Sequence, residues 1–114
     1  MEYEIRVLRP TDKRSPFVEW LRSLKDPLTR RRVLKRFTRV ELGNFGDHRI
    51  LTGGIIELRF DMGPGYRIYF AISDNELVVL LAGGDKHSQD DDIALAHKLW
   101  QENKNDVNSF ARGI

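Results

Sequence analysis

The chain has 114 residues and a mass of 13.3 kDa, a length that suits one domain, residues 1–114, around one core. It has no cysteine, which excludes disulfide scaffolds, thiol catalysis and cysteine-ligated metal centres and fits a reducing compartment. Hydrophobic residues at 40% and charged residues at 32% make a globular composition with no run near the ~18 apolar residues of a membrane span, and the start, MEYEIRVLRP, lacks the order of a signal peptide, so the expected location is cytoplasmic.

Glu4 to Leu8 alternates polar and apolar residues, with Tyr3, Ile5 and Val7 on one face, and reads as a first strand ending at Pro10. Ser15-Pro16 pairs a helix cap with proline at the first helical position. Phe17, Trp20, Leu21 and Leu24 then recur at the spacing of an amphipathic stripe. Asp26-Pro27 repeats the signal and opens a second helix with apolar positions Leu28, Val33, Leu34, Phe37 and Val40, stopped by Gly43. The two helices form a hairpin.

That second helix carries a dense basic run: Arg30, Arg31, Arg32, Lys35, Arg36 and Arg39. The net charge of +2 is unevenly spread, with twelve bases and five acids in residues 1–40 against seven and twelve in residues 41–114. A basic helix face is either simply solvated or a polyanion surface. Almost no acids stand at i±4 to pair with these bases, so they repel one another unless an outside polyanion docks there. An RNA phosphate backbone is the expected partner.

After Asn44–Gly46 and the inter-element loop that holds His48, the period becomes two. Ile56, Leu58 and Phe60 alternate with Glu57, Arg59 and Asp61; Met62–Gly65 turns; Tyr66, Ile68, Phe70 and Ile72 alternate on the return. Asp74-Asn75 reads as a two-residue hairpin turn, and Leu77–Ala82 as a strand buried on both faces. Ser88 is positioned to cap a last helix, with Asp90, Asp91 and Asp92 complementing its dipole and Ile93, Ala96, Leu99 and Trp100 facing inward. Beyond Asn103 the polar tail, about residues 104–114, is expected to fray. The order is an α+β domain: strand, helical hairpin, three-stranded antiparallel meander completing one sheet, C-terminal helix.

Pairing the meander about its first turn puts Arg59 opposite Arg67. Opposed like charges destabilise a sheet, so the pair is either a solvated one bridged diagonally by Glu57 or Asp61, or an anion site with two guanidinium forks for one phosphate. Tyr69 follows on the same face, where its ring would stack a nucleobase. Counting round the second turn places Arg67 opposite Ala82. The loop Gly83-Gly84-Asp85-Lys86-His87 therefore leaves the sheet nearby, its glycines allowing close approach of a ligand, with Lys86 and His87 as proton-transfer groups. His48 and His97 have no partners at metal-ligand spacing. The triple aspartate reads as a dipole complement rather than a cation cage, and no metal or cofactor is expected.

Glu57-Leu58-Arg59, then Gly63-Pro64-Gly65-Tyr66-Arg67-Ile68-Tyr69-Phe70, then Leu80-Leu81-Ala82-Gly83-Gly84-Asp85-Lys86 resembles the RelE/ParE toxin superfamily, in particular its HigB-like branch of "addiction module killer proteins". The resemblance spans nearly the whole chain. It implies a RelE-like fold and the toxin of a bacterial type II toxin–antitoxin system, whose antitoxin often carries a helix-turn-helix and would be the only link to DNA. RelE-like members cut mRNA in the ribosomal A site without metal, so ribosome and mRNA are the implied partners, and no membrane. Arg59 and Arg67 match the family's phosphate-binding arginines, and Lys86 matches the basic residue ending the last strand; Tyr69 and His87 are looser matches. The usual C-terminal tyrosine of RelE is missing, since the tail holds Phe110 and Ile114. The same superfamily also contains ParE-like inhibitors of DNA gyrase that are not nucleases, and non-catalytic RNA-binding relatives are a third possibility. The nuclease reading requires the two guanidiniums to converge on one face without being locked into carboxylate pairs.

Overall fold

The computed structural model describes residues 2–11 and 13–113; Met1, Asp12 and the tail residue Ile114 lie outside them. The elements in order are β1 (Glu4–Leu8), α1 (Pro16–Ser23), α2 (Pro27–Glu41), β2 (His48–Ile50), β3 (Ile55–Arg59), β4 (Arg67–Ser73), β5 (Leu77–Gly84), α3 (Gln89–Asn103) and β6 (Phe110–Ala111). They build one mixed sheet in the order β2-β3-β4-β5-β1-β6. β1 runs parallel to β5, and the other pairings are antiparallel.

Both helices of the hairpin start as their caps dictate. Ser15 Oγ accepts from the Val18 amide, and Asp26 accepts from the Leu28 amide and the Thr29 hydroxyl. Strand alternation then divides the core. Phe17, Leu21, Val33 and Phe37 pack with Ile56, Leu58, Ile68, Phe70 and Leu80 on one face of the sheet. Ala96, Leu99 and Trp100 of α3 pack with Ile55, Tyr69, Ala71, Val79 and Leu81 on the other. Helices thus cover both faces, and β5 is buried on both, as its apolar run requires. Leu28 and Leu34 depart from the expected stripe of α2: they are 48% and 42% exposed.

Two further strands extend the expected order. His48–Ile50 pairs with β3 instead of remaining a loop. The described part of the tail is held against the domain: Arg9 N donates to Ser109 O (2.7 Å), Phe110 pairs with Leu8, and the buried Phe110 ring stacks on Trp100 at 5.8 Å. One aromatic residue with a hydrophobic shelf to cover outweighs the polarity of its neighbours.

Arg59 faces Arg67 as the turn arithmetic requires. The next register differs, because Arg67 faces Gly84 and not Ala82. Asp74 and Asn75 both take positive φ, the signature of a type I′ turn, but Ser73 pairs with Leu77, shifting the count by one. A bulge that leaves Leu81 without a partner shifts it again.

Phe110→Ala should lower stability by about 3 kcal/mol in urea denaturation. A change under about 0.5 kcal/mol, typical of exposed positions, would mean the tail is not part of the core.

Candidate functional site

The α3 face of β2, β3 and β4 carries a row of charge that period-two geometry makes unavoidable. Arg49, Glu57 and Tyr69 stand side by side across three strands, and Arg59 and Arg67 form the next row. The Glu57 side chain is completely buried. Its carboxylate lies 3.5 Å from Arg49 and 3.8 Å from each of Arg59 and Arg67, while Gln89 at the start of α3 donates to it at 2.9 Å. The guanidiniums therefore converge on one face. The second requirement is not met: Arg59 and Arg67 are each paired with the buried Glu57 carboxylate, which they share with Arg49, so that three cations face one anion and about two positive charges are left over.

The fit of this cluster is incomplete. Glu57 Oε1, Arg67 Nε and Tyr69 Oη are buried without hydrogen-bond partners among the described residues. Glu57 Oε1 and Arg67 Nε nevertheless keep ion-pair contacts at 3.5–3.8 Å, so what they lack is hydrogen-bond geometry rather than a charged neighbour. Tyr69 is fully enclosed, so no ring face is open to a nucleobase, and the stacking expected of it does not occur. Burial, and then the Glu57 carboxylate beside it, push the Tyr69 phenol well above its ordinary value.

Lys86 and Arg67 meet at Gly65. Arg67 Nη1 donates to Gly65 O (2.9 Å), and a Cβ on Gly65 would lie 3.2 Å from that nitrogen and 3.4 Å from Lys86 Cβ. Gly65 has φ +78°, so glycine suits both the turn and the gap between the two cations. Lys86 is exposed. His87 is exposed too, its amide donating to Asp85 Oδ1, and among the described residues no hydrogen bond ties its ring to the arginines.

The paired glycines at the end of β5 serve packing, not ligand approach. A Cβ on Gly83 would enter the Trp20 ring, and one on Gly84 would enter the Asp92 carboxylate. Ser88 occupies the cap position but makes no side-chain cap; its hydroxyl donates to Asp92 at 2.5 Å. Asp92 is pushed up, first by burial and then by Asp85 and Asp91, against the pull of Ser88.

The basic helix lies on the opposite face of the sheet, so one short RNA segment does not touch both α2 and the arginine cluster side by side. Two of its six bases are also occupied inside the fold. Arg30 donates to Leu24 O. Arg36 donates to the carbonyls of Phe45, Asp47 and Arg59 (2.6–2.8 Å at closest) and lies 4.7 Å over the Phe60 ring. Burial holds its guanidinium below its ordinary value. Arg31, Arg32, Lys35 and Arg39 remain exposed. Sequence reasoning missed Arg49 and Gln89 and saw Glu57 only as a diagonal bridge; recognising the short strand at His48–Ile50 would have set Arg49 opposite Glu57. Among the described residues no group of three or more His, Asp or Glu could hold a metal ion, and no helix is long and apolar enough to cross a membrane.

A family model for phage-derived Gp49-like proteins (DUF891) matches residues 19–101. The chain belongs to the Gp49-like family. Its members are toxin-like, of the addiction-module killer kind. The matched span contains α2, the whole meander and most of α3, hence every residue of the arginine cluster. An uncharacterized protein of Haemophilus influenzae is 45% identical over 86 residues, covering 75% of this chain and 87% of that protein.

Glu57→Gln should destabilise the Gp49-like fold by about 3 kcal/mol, since it leaves three guanidiniums without their anion. Arg49→Gln, losing a half-exposed partner, should cost about 1 kcal/mol or less. Equal urea midpoints for Glu57→Gln and wild type would refute the anchoring role. For Asp92, a raised carboxyl keeps its proton in the folded chain where the unfolded chain has released it. Its contribution is therefore greatest below the ordinary value of 3.8 and declines as pH rises through the folded value. Asp92→Asn should gain stability relative to wild type across that rise, read from urea midpoints at stepped pH.

Proposed function

We propose that this protein is the toxin of a type II toxin–antitoxin system and acts as a ribosome-associated mRNA endoribonuclease that needs no metal. The observation that carries the reading is the surplus of guanidinium charge around Glu57, bordered at Gly65 by Lys86. Membership of a toxin-like family supports the wider role, with an antitoxin as the partner.

In the proposed reaction the RNA 2′-oxygen attacks the adjacent phosphorus as its proton passes to a base. The P–O5′ bond breaks as the 5′-oxygen takes up a proton, leaving a 2′,3′-cyclic phosphate and a 5′-hydroxyl. Negative charge grows on the equatorial phosphate oxygens, where preformed cationic donors are most effective. Arg59 and Arg67 serve as those donors, with Glu57 fixing their orientation. Lys86, beside Arg67, is the first choice for proton transfer and His87 the second.

The central position of Glu57 also favours a second reading, in which the arginines are a structural network and the chain acts as a ParE-like gyrase inhibitor or a non-catalytic RNA binder. Primer extension on mRNA from induced cells separates them. Discrete ribosome-dependent cuts support the nuclease; stabilised gyrase–DNA breaks support the alternative.

Arg67→Ala and Lys86→Ala should each relieve growth arrest and slow cleavage on ribosomes by about a hundredfold or more. Undiminished toxicity in both variants would exclude this site.

A further inference from the structure

Tyr69 stands directly opposite Glu57 on the neighbouring strand, and both side chains are fully buried. Each is short of one hydrogen bond, in complementary ways. The phenol carries a proton with no acceptor, and Glu57 Oε1 is an acceptor with no hydrogen-bond donor among the described residues. Side chains paired across a sheet have Cβ atoms about 4.5–5.5 Å apart, close enough for a phenol to reach a carboxylate. The other carboxyl oxygen, Oε2, is served by Gln89 at 2.9 Å. Asp92, the second carboxylate that bears on the phenol, already accepts from the Ser88 hydroxyl. Two cations stand near Oε1 instead, Arg49 at 3.5 Å and Arg59 at 3.8 Å. Arg67 is tethered, because its Nη1 donates to Gly65 O. The Arg59 guanidinium makes no hydrogen bond among the described residues, and its side chain is 39% exposed. Arg59 is therefore the arginine of the facing pair that is free to turn outward.

We propose that Tyr69 is a positioning residue for anion binding: as Arg59 leaves Glu57 for an incoming phosphate, the Tyr69 hydroxyl donates to Glu57 Oε1 in its place. Turning Arg59 outward takes a cation from a fully buried carboxylate, which is unfavourable unless another group takes over. A hydrogen bond from the phenol compensates the carboxylate and satisfies both atoms at once. No proton changes hands, since burial and the neighbouring carboxylate keep the phenol protonated. In the free protein the two cations hold Oε1 and the hydroxyl stands in reserve. The inference rests on the anion reading of the arginine cluster and deepens it, by naming the group that lets a buried carboxylate release an arginine to a ligand.

The test uses the full-length chain in two arms. In urea denaturation without ligand, Tyr69→Phe should not lower the midpoint, because it removes a hydroxyl that has no partner. In an Arg59→Gln background the same change should lower it, because there the hydroxyl has already taken its place on Glu57. Arg49→Gln replaces Arg59→Gln if that variant fails to melt cooperatively. The second arm measures binding of a fluorescein-labelled 2′-O-methyl RNA dinucleotide, which lacks the nucleophile for cleavage, by anisotropy. Tyr69→Phe should weaken it by about tenfold, the loss of one hydrogen bond to a charged group, and Arg67→Ala should weaken it at least as much. A purely structural tyrosine would shift the urea midpoint equally in the two backgrounds. That result, or an affinity unchanged by Tyr69→Phe where Arg67→Ala reduces it, would overturn the proposal and leave the anion reading standing. Binding indifferent to Arg67→Ala would overturn the anion reading and this inference with it.

Discussion

Arg59 and Arg67 stand opposite each other on neighbouring strands, an arrangement that repels and that a sheet adopts only with a counter-charge close by. Glu57 is that counter-charge. It is buried on the same strand as Arg59, on the same face, and Arg49 approaches it from the strand beyond. One carboxylate holds three guanidiniums in a fixed array and cannot neutralise them. The Gln89 contact joins this array to α3, so the packing of the last helix and the geometry of the charged row are one problem with one solution.

The same balance explains the polar atoms left without partners at this spot. A cluster built for stability alone would satisfy its carboxylate fully, or replace the ions by apolar groups at little cost. Here Glu57 Oε1, Arg67 Nε and Tyr69 Oη lie within one small volume without a hydrogen bond among the described residues, the first two held only by ion-pair contacts of 3.5–3.8 Å. The arrangement is tolerable because Arg59 and Arg49 reach solvent and carry their excess charge there.

The sheet also separates two sources of positive charge that are easily merged when read along the chain. The strand arginines belong to the α3 face, with Lys86 beside them at the Gly65 turn, and the basic run of α2 to the other. Arg36 connects them physically, since its guanidinium bonds the carbonyl of Arg59 from the α2 side. That arginine is part of the framework, although by type and spacing it is indistinguishable from Lys35 or Arg39.

The amino-acid order alone determined the helix starts at Ser15 and Asp26, the facing of Arg59 and Arg67, and the burial of β5, because caps, tight turns and two-residue periodicity are local and tolerate few alternatives. Register beyond the Asp74-Asn75 turn depended on a bulge at Leu81, which no residue type announces. The strand at His48–Ile50 and the docking of Phe110 needed a neighbouring edge and an apolar shelf that exist only after folding. So did the roles of Gly83 and Gly84, whose missing side chains make room for Trp20 and Asp92 from distant segments. Which of the many arginines are free, and on which side of the sheet they stand, was decided by three-dimensional packing, since burial and partnership are properties of contacts between residues far apart in the chain.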